Sequence, residues 1–87
     1  MTIRNFVSLI DTECCTRVQI IDGKKNVLSL FIAWNDESDL DFQAFDMLAY
    51  MTIDRWYVTL DGVIRIYTYE PFSPAEIHAL HDKGFWD

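Results

Sequence analysis

Hydrophobic residues near the amino terminus recur with the spacing of one helical face. In the segment 2–11 the apolar side chains stand at i, i+3, i+4 and i+7, namely Ile3, Phe6, Val7 and Ile10. Thr2 has the hydroxyl that commonly caps a helix amino terminus. The run from Phe6 to Ile10 also suits a strand, because the segment is short for a helix. The spacing favours a short helix.

Two strand–turn–strand units follow, each rich in β-branched and apolar residues. The predicted strands are 17–21 and 27–34 in the first unit, and 55–60 and 63–69 in the second. The turns are Asp22-Gly23-Lys24-Lys25 and Asp61-Gly62, and both contain the Asp-Gly pair typical of tight hairpin turns. The sequence therefore predicts two β-hairpins.

The second hairpin allows two registers, which sort its side chains differently. A two-residue loop of Asp61 and Gly62 would place Trp56 opposite Tyr67 and mix apolar with polar residues on both faces. A three-residue loop, with Leu60 added and Gly62 left-handed, separates them. One face then carries Trp56, Val58, Ile64 and Ile66, and the other carries Tyr57, Thr59, Arg65 and Tyr67. We expect the second register, because burial of an apolar face fixes strand register.

Two more helices are predicted, one between the hairpins and one after them. The central helix spans 40–51, with Ser38 as its cap and a narrow polar stripe of Asp39, Gln43, Asp46 and Tyr50. The last helix begins with the capping box Ser73-Pro74-Ala75-Glu76 and ends at Gly84. Its Ile77 and Leu80 are expected to face the sheet, and Phe85 and Trp86 are expected to fold back after the helix ends.

These elements give the order (α)ββαββα and an α+β fold. Hairpins favour a mainly antiparallel four-stranded sheet, with the central and carboxy-terminal helices on one face. Residues 1–87 are long enough for one small globular domain.

Net charge, the length of the apolar runs and the cysteine content exclude several classes of protein. Fourteen acidic and seven basic side chains give a net charge of −7, which disfavours non-specific binding to nucleic acid or to anionic lipid. No apolar run reaches the length of a membrane span and no signal peptide is evident, so we expect a cytoplasmic protein. The two cysteines, Cys14 and Cys15, are neighbours, which excludes a disulfide-stapled scaffold; we interpret them as two half-buried thiols.

Catalytic motifs are missing from the sequence. All three glycines serve turns or a helix end, which leaves none for a phosphate-binding loop. His78 and His81 lie near Glu76 and Asp82, but their spacing lacks the third ligand of a zinc site. An enzyme built on these histidines is the most remote hypothesis, and we expect no cofactor and no metal.

The leading functional hypothesis comes from a window without basic residues. Between Lys25 and Arg55 every charged side chain is acidic. The predicted partner-binding residues are Asp36, Glu37, Asp39, Asp41 and Asp46, with Trp34 and Tyr50 as anchors. Such a surface suits a protein partner with a basic groove, without direct contact to nucleic acid or membrane. A solubilising role is the alternative for these charges.

In overall profile the chain resembles the small acidic inhibitors encoded by phages and other mobile elements, including anti-CRISPR proteins and nucleic-acid mimics. The resemblance is one of size and charge and covers no alignable run of residues. It implies an inhibitor or decoy of a nucleic-acid-handling complex.

The outer face of the predicted sheet is a second candidate surface. Tyr57, Arg65 and Tyr67 would project from it together with Tyr69, Phe31 and Arg17. Aromatic rings beside arginines can stack bases, which suggests a binder of single-stranded nucleic acid or of a small ligand. The same residue types are also enriched in protein interfaces, of which a homodimer is the simplest.

Overall fold

The structure is a computed structural model that describes residues 1–9, 15–33 and 38–82. The elements are α1 (Ile3–Val7), β1 (Cys15–Ile21), β2 (Val27–Ala33), α2 (Leu40–Met47), β3 (Ile53–Val58), β4 (Ile64–Thr68) and α3 (Pro74–Asp82). This is the predicted order, and the α+β fold is confirmed. None of the helices within the described residues is both long enough and apolar enough to cross a membrane.

The four strands form one sheet in the order β2-β1-β4-β3. Both hairpins are antiparallel, and they join through β1 and β4, which run parallel. The sheet is therefore mainly antiparallel with one parallel pair. The hairpin patterns alone could not reveal which strands meet at the centre.

One face of the sheet carries the core. Val18, Ile20, Leu30 and Ile66 point into it and are at most 1% exposed. The other side of the core comes from the helices and the turn after α2, with Ile3, Phe6, Phe45, Leu48, Met51 and Leu80. Burial of this apolar layer is the main source of stability. Most described side chains on the opposite face of the sheet are partly or fully exposed, whereas Ile21 at its margin is buried.

Helix α1 is confirmed, although it is shorter than its apolar spacing suggests. The Thr2 hydroxyl accepts a hydrogen bond from the Asn5 backbone N–H at 3.2 Å, as predicted for a capping residue. Ile10, the last residue of the predicted apolar face, lies outside the described residues.

The predicted bounds of α2 need two corrections. Its cap is Asp39 rather than Ser38, because the Asp39 carboxylate accepts the Asp41 backbone N–H at 2.8 Å. The helix ends at Met47, four residues before Met51, because residues 49–51 turn to meet α1. There the Ala49 and Met51 carbonyls accept backbone N–H groups of α1 at 2.9 Å. Tertiary contact overrides the helical periodicity here.

The capping box of α3 is confirmed. The Ser73 N–H donates to Glu76 Oε1 at 2.9 Å, and the Glu76 N–H donates to Ser73 Oγ at 3.2 Å. Leu80 is fully buried and Ile77 packs against the core, as the spacing predicts. The predicted helix stop at Gly84 and the aromatic residues Phe85 and Trp86 lie outside the described residues.

The three-residue loop of the second hairpin is confirmed. Val58 pairs with Ile64 and Tyr57 with Arg65, and the Thr59 N–H donates to the Val63 carbonyl at 2.8 Å. Gly62 has a φ of 85°, the left-handed conformation that the bulged turn requires. The predicted separation of faces therefore holds.

Replacing Gly62 by valine should destabilise the fold. Nothing lies within 4 Å of a Cβ at this position, so the penalty comes from the positive φ alone. A β-branched residue there costs about 1–3 kcal/mol. Thermal unfolding should show a melting temperature lower by about 4–8 °C per kcal/mol. Gly62→Asn is the matched control, because asparagine tolerates this conformation and should cost less. A Gly62→Val protein that melts with the wild type would contradict the assigned turn.

Candidate binding surface

The face of the sheet opposite the helices is called the outer face here. It consists of Arg17, Gln19 and Ile21 of β1, Val27, Ser29 and Phe31 of β2, Arg55 and Tyr57 of β3, and Arg65 and Tyr67 of β4. Strand register places Tyr57 beside Arg65 and Arg55 beside Tyr67. Arginines and tyrosines therefore alternate across β3 and β4, as cross-strand neighbours on one face.

These four side chains contact one another closely. Arg65 Nη1 donates to the Tyr57 hydroxyl at 2.9 Å, and the Tyr57 and Tyr67 hydroxyls lie 3.4 Å apart. The two rings stack with centroids 6.0 Å apart and planes inclined by 23°. The Arg55 guanidinium lies 4.4 Å from the centre of the Tyr67 ring. Such contacts hold the side chains in place before any partner arrives.

Arg65 lies at the centre of this group. Its guanidinium carbon is 5.8 Å from the Tyr57 ring centre and 5.9 Å from that of Tyr67. The Nε atom is buried and has no hydrogen-bond acceptor among the described residues. A buried N–H without an acceptor is costly, so the aromatic contacts of Arg65 must offset this cost.

Within the described residues, the arginines of the outer face contact aromatic rings rather than carboxylates. No ion pair joins Arg17, Arg55 or Arg65 to a carboxylate in the described part of the chain. Their contacts are aromatic instead, and Arg17 lies 6.0 Å from the centre of the exposed Phe31 ring. The outer face is thus a positive patch on a protein whose net charge is −7.

The neighbouring side chains shift the pKa values of the tyrosine hydroxyls. The hydrogen bond with Tyr67, together with the positive charge of Arg65, lowers the pKa of Tyr57 below its ordinary value of 10.0. The same hydrogen bond raises the pKa of Tyr67. At the rim of the face, a hydrogen bond to Asp54 raises the pKa of the exposed Tyr69.

The predicted acidic surface is only partly described. Trp34, Asp36 and Glu37 lie outside the described residues. Asp39 caps α2, and Asp41 Oδ2 accepts the Phe31 backbone N–H at the edge of the sheet at 2.6 Å. Both carboxylates therefore accept backbone hydrogen bonds within the fold.

The remaining members of the acidic surface also have partners within the chain. Asp46 lies 3.7 Å from Arg4 in an exposed ion pair, which contributes little to stability. The Tyr50 hydroxyl donates to both oxygens of Glu76, at 2.7 and 2.9 Å, although the Tyr50 side chain is 61% exposed. Their predicted role in binding a basic partner stays a prediction.

The Tyr50–Glu76 bond gives a titration that can be measured. Hydrogen bonding to the Glu76 carboxylate, with some burial, raises the pKa of Tyr50 to about 12. A raised pKa stabilises the fold fully below pH 10 and progressively less as the pH rises towards 12. Subtracting the tyrosinate absorbance of a Tyr50→Phe variant from that of wild type should isolate one phenol with a midpoint near 12. A difference midpoint at the ordinary value of 10.0 would contradict the bond.

A cleft of about 530 Å³ lies between α1 and α2. Phe42, Phe45 and Ala49 line its apolar part, and the Arg4–Asp46 pair lies at its polar side. Ser8 and Gln43 also line the cleft, but the Ser8 hydroxyl donates to the Asn5 carbonyl and Gln43 Nε2 donates to the Ser38 carbonyl.

The histidines of α3 do not form a metal centre with the described residues. His78 Nε2 lies 3.7 Å from Asp82 Oδ2, and both side chains are exposed. Glu76 is committed to the capping box and to Tyr50. No three histidine, cysteine or carboxylate side chains in the described ranges are grouped so that they could hold a metal ion.

Comparison with known proteins gives no relative: no family model, no curated protein and no solved structure matches this chain. The geometry of its own residues is therefore what points to a function.

Sequence reasoning found Tyr57, Arg65 and Tyr67, and the structure brings all three together. It did not include Arg55, whose guanidinium lies 4.4 Å from the centre of the Tyr67 ring. Strand alternation could have identified Arg55, because it lies two positions before Tyr57 and must project from the same face.

Proposed function

We propose that this protein is a non-enzymatic binding module whose outer face docks on a protein surface that presents carboxylates. The observation that carries the proposal is the set of Arg17, Arg55 and Arg65, held over aromatic rings without a described carboxylate partner. Arginine, tyrosine and phenylalanine are the side chains that dominate protein interfaces. Arginine binds carboxylates through two parallel hydrogen bonds.

Preorganisation supports the proposal. Binding usually costs about 0.5–1.5 kcal/mol for each long side chain that becomes fixed. Tyr57, Tyr67, Arg55 and Arg65 already restrain one another through ring stacking, cation–π contact and hydrogen bonding. Less of that cost remains to be met when a partner docks.

A carboxylate-bearing protein fits this face better than single-stranded nucleic acid does. Base stacking needs free ring faces, whereas Tyr57 and Tyr67 already stack on each other and Arg55 lies over Tyr67. Binding of single-stranded nucleic acid is therefore the competing hypothesis.

The acidic decoy remains the competing protein-binding proposal. It would use Asp39, Asp41 and Asp46, but the first two act as acceptors within the fold and the third is paired with Arg4. Its partner would be basic rather than acidic. The two proposals thus predict opposite charges on the partner.

Nuclear magnetic resonance titration of the isotope-labelled protein separates these outcomes. The probes are a poly-glutamate peptide, an oligothymidylate and a poly-lysine peptide, at low salt. We expect poly-glutamate to shift the Nε–H signals of Arg55 and Arg65 and the amide signals of the outer face. Shifts of these signals by oligothymidylate alone, or shifts near α2 by poly-lysine without any response to poly-glutamate, would overturn the proposal.

A matched pair of variants shows whether the arginines of the outer face are responsible. Arg55→Gln combined with Arg65→Gln should abolish the shifts caused by poly-glutamate. Arg4→Gln makes the same chemical change at an exposed arginine on another side of the protein, where Asp46 is its neighbour. It should leave the shifts unchanged. Equal loss in both proteins would show a general charge effect and contradict docking at the outer face.

A further inference from the structure

The two edges of the sheet are not alike. At the β2 edge, Asp41 Oδ2 accepts the Phe31 N–H, so one of the N–H groups that point away from the sheet already has an acceptor. At the β3 edge, the amino terminus covers only the start of the strand: the Ile53 N–H donates to the Met1 carbonyl at 2.8 Å, and Thr2 forms a bridge with Thr52. Beyond Ile53, nothing among the described residues pairs with this edge.

The free part of the β3 edge exposes specific main-chain groups. Tyr57 is directly opposite Arg65, and the Thr59 N–H bonds to Val63, so alternate residues of β3 bond to β4. The N–H and C=O groups of Trp56 and Val58, which lie between those residues, point away from the sheet. The free edge is bounded by the covered Ile53 and by the turn at Leu60.

The side chains beside this edge are apolar and exposed. Trp56 is 50% exposed although it packs edge-on against Phe6 with ring centroids 4.9 Å apart, and Val58 is 55% exposed. An apolar edge strand with free main-chain groups is a template for pairing with another strand.

We propose that two copies of this chain pair through β3, in antiparallel orientation about a two-fold axis at Tyr57. Trp56 of each copy then lies opposite Val58 of the other, and each such pair exchanges both main-chain hydrogen bonds. An aromatic residue opposite a β-branched one is a favourable cross-strand pair. Arg55 lies opposite Thr59 of the second copy, so no like charges face each other.

A second copy is the occupant that fits these bounds. The free segment 55–59 is its own complement in this register, and the turn at Leu60 of one copy lies beside the start of β3 in the other, where Met1 and Thr2 cover the edge. Pairing would join the two sheets and make one continuous outer face, with the two Tyr57 side chains adjacent. The inference stands independently of which partner the outer face binds.

Val58→Pro tests the pairing with little cost to the single chain. Proline removes an N–H that points away from the sheet, a position at which edge strands tolerate it. By sedimentation equilibrium at about 100 μM, we expect wild type and Val58→Thr to be dimeric and folded Val58→Pro to be monomeric. Because each copy carries a charge of −7, the wild-type dimer should strengthen with added salt. A monomeric wild type, or a dimeric Val58→Pro, would overturn the proposal.

Cysteine cross-linking tests the register. With Cys14→Ser and Cys15→Ser removing both native thiols, Tyr57→Cys places two thiols on residues about 4.5 Å apart at Cα, within disulfide range. Arg55→Cys is the control on the same face and strand, where the two copies would be about 13 Å apart. We expect an interchain disulfide for Tyr57→Cys only. Equal cross-linking at both positions, or none at Tyr57→Cys, would overturn the register.

Discussion

Replacing Asp22 by alanine is expected to lower the free energy of unfolding by about 2–4 kcal/mol, a large fraction of the stability of a small domain. Asp22 is 3% exposed and lies in the turn between β1 and β2. Its Oδ1 atom accepts the backbone N–H groups of Lys24 and Asn26, at 3.0 and 2.8 Å. Its Oδ2 atom accepts Asn26 Nδ2 at 3.0 Å and the Phe72 N–H at 2.9 Å.

The Phe72 bond explains why one turn residue has so large an effect. It ties the first hairpin to the segment before α3, fifty residues along the chain. Alanine would leave the donors of this network without their acceptor, and the Phe72 N–H is buried. Gly23 reinforces the same junction, because a Cβ there would lie 2.5 Å from the Tyr69 carbonyl oxygen.

The conservative variant Asp22→Asn separates the charge from the turn. Burial raises the pKa of the Asp22 carboxyl, but hydrogen bonds from Asn26, Phe72 and Lys24 outweigh it, so the pKa lies below the ordinary 3.8. The ionised group therefore stabilises the fold above that value, and this contribution is lost as the pH falls below it. Asparagine keeps one acceptor oxygen for the turn and loses the second.

Chemical denaturation at several pH values measures both effects. Asp22→Asn should lie between wild type and Asp22→Ala at neutral pH, and the wild-type advantage over Asp22→Asn should shrink as the solution is acidified through pH 4 and below. An Asp22→Ala protein as stable as wild type would contradict the network. A wild-type advantage independent of pH would contradict the depressed pKa.

Replacing Tyr67 by alanine should weaken binding at the outer face by about thirty-fold, the loss of roughly 2 kcal/mol typical of a central interface residue. The Tyr67 ring stacks on Tyr57 and carries the Arg55 guanidinium at 4.4 Å. Its removal therefore frees Arg55 from its restrained position and leaves Tyr57 without the ring on which it stacks.

Tyr67→Phe is the control for the ring. It keeps the ring that stacks on Tyr57 and contacts Arg55, and it removes only the hydroxyl that lies 3.4 Å from that of Tyr57. Titration calorimetry with the poly-glutamate probe should show most of the wild-type affinity for Tyr67→Phe and a large loss for folded Tyr67→Ala. Equal affinity of Tyr67→Ala and wild type would exclude this ring from the interface.

Local signals in the sequence were sufficient for the hairpins and helix starts. The bulged turn followed from separating the Trp56 face from the Tyr57 face, and the capping box of α3 followed from Ser73 and Glu76. Both depend on contacts between residues close in the chain. The parallel pairing of β1 with β4 depends on how the two hairpins pack, which no local pattern specifies.

The two corrections to α2 differ in origin. The helix stops at Met47 because the chain then meets α1, which is a tertiary contact, whereas the cap is local: the Asp39 carboxylate, and not Ser38, accepts the Asp41 N–H. Only part of the candidate surface could be predicted from the sequence. Strand alternation placed Tyr57, Arg65 and Tyr67 on one face, but only the structure showed that the acidic Asp41 is engaged at the β2 edge.

The measurement that bears most directly on docking at the outer face is a quantitative capture of binding proteins by three immobilised forms of this protein. The first is wild type, and the second carries Arg55→Gln and Arg65→Gln. The third carries Asp36→Asn, Glu37→Gln, Asp39→Asn and Asp46→Asn, which removes four of the five predicted acidic charges at similar side-chain volume and keeps Asp41, the acceptor of the Phe31 N–H. We expect a partner captured by wild type to be retained by the third protein and reduced at least ten-fold on the second. Retention by the arginine variant and loss from the acidic variant, with both proteins folded by circular dichroism, would contradict docking through the outer face and favour the acidic decoy.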